Sequence, residues 1–234
     1  MTWKAPDMER PEGPLTGPER PMLQAFLDWH RATLLYKCAG LTGEQLAERT
    51  VPPSGLSLLG LVRHMTKVER AWFRQRFAGE PVEDPFGTDK SADFERTDPG
   101  RAAADYARLT EEFKLADAAV AHASLEDTFT HRGELMSLRL IYLHMIEEYA
   151  RHLGHADLLR ERTDGATGEL ADHRRTSGID GAAGRVGGRQ AADRRRAAGH
   201  RGLSAPAGVA VPGPARLSWD PKAENCPREG LHLI

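Results

Sequence analysis

The sequence predicts an all-α protein, a four-helix bundle followed by a disordered C-terminal tail. Three observations carry that prediction. Four long segments place apolar residues at every third or fourth position. No apolar-polar alternation is long enough to build a convincing sheet. Periodicity then disappears after residue 169. A chain of 234 residues is long enough to close a full hydrophobic core.

Residues 1–20 contain Pro6, Pro11, Pro14 and Pro18, a spacing that favours an extended arm over a helix. A bundle is expected over 21–169. Its first helix starts at Pro21, with Leu23, Phe26, Leu27, His30, Leu34 and Cys38 in helical rhythm and Gly40 placed to end it. Thr42 and Gln45 have the spacing of a capping box, so a short helical turn should follow until VPPSG breaks it. The second long helix is predicted from Ser57 to Phe77. Its broad apolar face holds Leu58, Leu61, Val62, Met65, Val68, Trp72 and Phe73, and Gly79 stops it. Residues 81–98 read as a polar loop. A third helix begins near Asp98-Pro99, cap then first turn, with Tyr106, Leu109, Phe113, Ala116 and Val120 facing the core. The stretch TFTHRGE is extended in character but too short to imply a sheet. The fourth helix starts between Glu134 and Ser137 and runs to about Arg160. The linkers 41–56 and 78–98 are long enough for crossovers, which leaves the up-down order open.

From 170 to 234 Gly, Ala and Arg dominate and Trp219 is the only aromatic residue, so too little apolar surface is available to offset the entropy of ordering. Residues 1–169 carry 21 Lys+Arg against 28 Asp+Glu, a net −7, whereas 170–234 carry 11 against 6, a net +5. An acidic body argues against nucleic acid as the main partner, because phosphate recognition needs a clustered basic face. The basic tail reads as a disordered arm or, given its abrupt onset after Gly165-Ala-Thr-Gly, as an out-of-frame continuation of a GC-rich gene.

Cys38 and Cys226 build neither a disulfide framework nor a CxxC metal knuckle. The N-terminus MTWKAPDMERPEGP lacks the apolar run of a signal peptide. No stretch reaches the ~18 continuous apolar residues of a membrane span. A cytoplasmic protein with no membrane partner is the expectation.

Chemistry concentrates in 144-HMIEEYARHLGHAD-157. At about 100° per residue, Glu148 and His152 fall beside Met145 and Tyr149 in the sector that should be buried. Glu147 points away, and His144 and His155 lie on the shoulder. Glu148 and His152 are one turn apart, so their tips can meet at one ion, much as the paired ligands of HExxH do. A third donor should come from another helix, and His64 in 61-LVRHMTKVERAWF-73 sits at the margin of the second helix's apolar face. Two histidines and one carboxylate form a three-ligand set that keeps a coordination position open. The blander reading is a solvated Glu-His pair and a satisfied core histidine. Against it stands the cost of burying Glu148 without a cation or a strong donor.

The segments LDWHRATLLYKCAGLTGEQL, VPPSGLSLLGLVRHMTKVERAWF and SLRLIYLHMIEEYARHLGHADLLRE together resemble the DinB/YfiT-like superfamily, in an actinobacterial branch related to thiol-dependent maleylpyruvate isomerase. The resemblance implies a four-helix bundle with a divalent metal near one end. It makes His64, Glu148 and His152 the ligands, with Glu148 where many members have histidine. His155 stands where others have glutamine and is expected beside the ligands; His144 is an outer group or a substitute ligand. The resemblance also implies a metal-assisted S-transferase or isomerase using a low-molecular-weight thiol such as mycothiol, with a metal-bound thiolate attacking an electrophilic small molecule. Zinc is the first expectation, with nickel or iron compatible with the same donors. Arg63 is expected to meet an acidic substrate. Glu69, on the apolar face, is expected to pair with a buried arginine or to line the cavity. Cys38 reads as packing rather than as a nucleophile. Two other readings compete. One is a stress-linked homodimeric bundle that binds metal or a small ligand without turnover. The other is a nucleic-acid or scaffold protein acting through the tail.

Overall fold

A computed structural model describes residues 2–87, 89 and 91–167, all within a unit spanning Met1–His173. The tail expected over 170–234, with both readings of it, Trp219 and Cys226, lies outside the described residues. Those described are mostly helical, with one small hairpin.

The arm is extended, and it is tied down by a bridge between Lys4 and Thr42 that buries Ala5. Helix α1 spans Glu19–Cys38, beginning directly after Pro18, and the chain leaves it through Gly40 at φ 76°. Helix α2, Gly43–Ala47, carries the expected capping box: the Thr42 hydroxyl accepts from the Gln45 amide, and the Gln45 side chain accepts from the Thr42 amide. Helix α3 spans Leu58–Glu69, with Ser57 capping it by accepting from Gly60 N. The predicted helix does reach Phe77, but Arg70–Phe77 is wound as a π-helix. Hydrophobic spacing alone does not report that change of winding.

The region expected to be a polar loop contains a further turn, α4, Ala92–Glu95, in which Ala92 and Asp93 are buried. Four residues are too few to show a period. Asp98 caps a 3₁₀ turn, Pro99–Arg101, which leads into α5, Ala102–Val120. The segment TFTHRGE also departs from expectation. Strand β1, Thr128–His131, pairs antiparallel with β2, Glu134–Ser137. Arg132 at φ 51° and Gly133 at φ 83° form the two-residue turn. Positive φ at both central positions matches the right-handed twist of the flanking strands. Helix α6 follows at once, Leu138–Asp164, capped by Ser137, and ends at Gly165 with φ 80°.

Helix α1 packs chiefly on α6, and α3 on α5 and α6. Leu27, Leu34, Leu61, Met65, Leu109, Met145 and Tyr149 form the dry centre between them. Among the described residues no helix is long and apolar enough to cross a membrane.

Candidate metal centre

His64 lies on the second turn of α3, held by Leu61, Met65 and Val68 on the buried face. On α6 the stripe Ile141, Met145, Tyr149, Ala156 and Leu159 fixes which side turns inward, and His144, Glu148 and His152 run beside it at four-residue intervals. The packing of α3 on α6 brings the two sets together. His64, Glu148 and His152 are each buried and offer donor atoms that all lie within 4.8 Å of one another. Glu148 Oε2 and His152 Nε2 are 3.5 Å apart, and the rings of His64 and His152 meet edge-on at 4.7 Å.

Helix α4 completes the setting. Gly60 lets it approach closely, since a Cβ there would lie 3.1 Å from the Phe94 ring. Phe94 stacks on His64 at 4.7 Å, and Asp93 Oδ2 lies 2.8 Å from His64 Nδ1. If Nδ1 donates to that carboxylate, the lone pair stays on Nε2, and Nε2 is buried with no hydrogen-bond partner. Burial lowers the His64 imidazole, and Asp93 only partly opposes this, so the ring is neutral at pH 7. Burial acts to raise the Glu148 carboxyl, but the closeness of His152 and His144 outweighs it and holds Glu148 below its usual range. A neutral imidazole with an orphaned lone pair, facing an ionised carboxylate and a second histidine, is the donor set a divalent cation requires. Tetrahedral zinc sites place ligand atoms roughly 3.3 Å apart; Glu148 and His152, at 3.5 Å, are close to that spacing, and His64 would have to draw in toward them.

The family model described as mycothiol-S-transferase matches residues 22–165. The chain belongs to the mycothiol-S-transferase family. No curated protein and no solved structure matches it. The family is of the DinB/YfiT-like type, as the sequence segments suggested, and His64, Glu148 and His152 all lie inside the matched span.

Other residues expected at the site have varied surroundings. His155 Nδ1 is 3.3 Å from His152 Nδ1, and so adjoins the ring of one candidate ligand. His144 Nε2 is buried, 3.9 Å from Glu148 Oε1, and its ring packs on Trp72 at 4.8 Å. Glu69 is fully buried and accepts from both Arg31 Nε and Nη2 at 2.7 Å and from the Tyr149 hydroxyl at 2.9 Å. Its pairing with a buried arginine is therefore present, and its oxygens already have donors. Arg63 differs from the substrate contact expected of it. It is buried, donating to Asp105 and to the backbone oxygens of Ala92 and Asp93, so it fastens α4 under His64. Asp93 itself was missed in the sequence, because TDKSADFERTD shows no period and is crowded with equivalent acids.

Proposed function

We propose that the chain is a divalent-metal-dependent S-transferase, in a DinB-type four-helix bundle, that joins a low-molecular-weight thiol such as mycothiol to a small electrophile. The observation supporting this most strongly is the convergence of His64 Nε2, Glu148 and His152 in a buried position, with Asp93 behind His64. His64, Glu148 and His152 would hold the ion, and zinc suits two imidazoles and one carboxylate with a position left open. The bound ion would lower the pKa of a thiol sulfur and so supply a thiolate at neutral pH.

The remaining roles belong to the chain. Asp93 accepts from His64 and fixes its ring orientation. His155 steadies His152 from the opposite nitrogen. Phe94 covers one face of the His64 ring and shields it from water. Cys38 is not the thiol that takes part: it is fully buried, and burial pushes its thiol up to about 12, with Arg160 opposing.

The test is elemental analysis of protein purified without a His-tag or chelator, together with thiol-transfer assays. Wild type should carry close to one equivalent of metal and conjugate thiol to electrophile. His64→Ala and His152→Ala should lose both while retaining the helical circular dichroism signal. Wild type without bound metal would overturn the reading, and metal without turnover would reduce it to a binding protein.

A further inference from the structure

Two of the three candidate ligands have another side chain directly behind them. Asp93 Oδ2 lies 2.8 Å from His64 Nδ1, and His155 Nδ1 lies 3.3 Å from His152 Nδ1. Glu148 has a neighbour in the matching place, His144. The carboxylate sits between two imidazoles of its own helix, one turn to either side. Its Oε2 is 3.5 Å from His152 Nε2, and its Oε1 is 3.9 Å from His144 Nε2. The two oxygens therefore face different histidines.

Among the described residues, the donors that gather within 4.8 Å of one another are those of His64, Glu148 and His152, and His144 is not among them. Its Nε2 is nevertheless buried and has no hydrogen-bond partner. A bound ion would account for the orphaned Nε2 of His64, but that of His144 would stay orphaned with the ion in place. Buried nitrogens of this kind are rare, because each has given up its hydrogen bond to water. The ring is held edge-on against the buried Trp72 at 4.8 Å, so it has little freedom to turn elsewhere. Glu148 Oε1 is an acceptor within reach. The gap exceeds a hydrogen bond by about 1 Å, which a small rotation of the flexible glutamate side chain can close.

We propose that His144 is a positioning residue: its Nε2–H donates a hydrogen bond to Glu148 Oε1, so that Glu148 offers a metal ion Oε2 alone. A carboxylate can bind a cation through one oxygen or through both. Bound through both, Glu148 would crowd the position that the three ligands otherwise leave open for a thiol. Engaging Oε1 removes that choice and keeps the position free. His144 would thus do for Glu148 what Asp93 does for His64. The assignment rests on the trio being a metal centre, and it adds how Glu148 binds and which residue decides it.

The test uses the full chain with zinc and with cobalt as probe ions, in wild type, His144→Leu and His144→Gln. Leucine removes the donor, whereas glutamine keeps an amide N–H at a similar reach. Competition with a chromogenic chelator should show zinc affinity falling by about tenfold or more in His144→Leu and returning close to wild type in His144→Gln. In cobalt-loaded protein, mercaptoethanol binding followed by thiolate-to-cobalt absorption should weaken about tenfold in His144→Leu and recover in His144→Gln. Zinc-loaded wild type should also show a slowly exchanging His144 Nε2 proton in proton–nitrogen NMR spectra, a readout that needs no variant. Unchanged zinc and thiol affinity in His144→Leu would overturn the proposal, as would an unprotonated His144 Nε2 in zinc-loaded wild type. Equal losses in the two variants would overturn it as well, leaving His144 only its packing on Trp72. Wild type that takes up no zinc would overturn the metal reading and this one together, whereas zinc-loaded wild type matched by His144→Leu would overturn this one alone.

Discussion

Asp93 shows how much a single buried carboxylate can decide. It touches no other member of the donor trio, yet it fixes which nitrogen of His64 is free. Asp93→Ala should weaken metal binding by about 10- to 100-fold, measured by competition with a chromogenic chelator, because the ring loses its orienting acceptor. Asp93→Asn should lose less, since the amide oxygen can still accept from Nδ1. Cys38 gives the opposite expectation. Buried and held near 12, it should resist iodoacetamide in the native protein and react only on unfolding, as peptide mapping would show. A native modification of Cys38 would contradict its burial. At this scale His64, Glu148 and His152 were legible because the helical period places each polar group where an apolar one belongs. Asp93 was not, since its position depends on α4 docking against Gly60 and no local pattern announces that contact.

Elements with length and caps were readable. Ser57, Thr42, Asp98 and Ser137 each precede a helix start and each supply a side-chain acceptor there. The π-wound segment Arg70–Phe77, the four-residue α4 and the hairpin were not read correctly. The first shares its apolar spacing with an ordinary helix, the second is below one period, and the third rests on an Arg-Gly turn in place of the usual Asn-Gly. Between elements, Glu69 holds α3 to α1 through Arg31 and to α6 through Tyr149. Removing one side of a buried pair leaves the other charged and unsolvated. Glu69→Ala should therefore cost about 3 kcal/mol or more in urea unfolding, despite the further contacts of Arg31 with Asp28 and Asp117. A stable Glu69→Ala that lost only activity would instead return Glu69 to the cavity-lining role that was the other expectation for it.

For the whole molecule, pH is the broadest control. His30 is lowered from 6.5 by burial, with its bond to the Phe26 oxygen opposing, and His131 is lowered by burial and by Arg76 and Arg132. In each case the folded state binds its proton less readily than the unfolded chain. The corresponding stability is complete above pH 6.5 and is lost as the pH falls below it towards the folded values. The Tm of metal-free protein should drop between pH 7.5 and pH 5.5, and the double variant His30→Gln/His131→Gln should flatten that dependence in calorimetry. The two tyrosines of α6 have a mechanical consequence. Tyr142 donates to Gln24 on α1 and Tyr149, two turns further along, donates to Glu69 on α3, so the helix is gripped from two sides. The pair works like a key in a keyway: α6 can neither spin nor slide by one residue without breaking both bonds, and a step of about 100° would swing Glu148 and His152 away from His64. Tyr142→Phe/Tyr149→Phe should thus leave helix content intact while blurring the azimuth of α6, seen as broadened NMR resonances of the His152 ring.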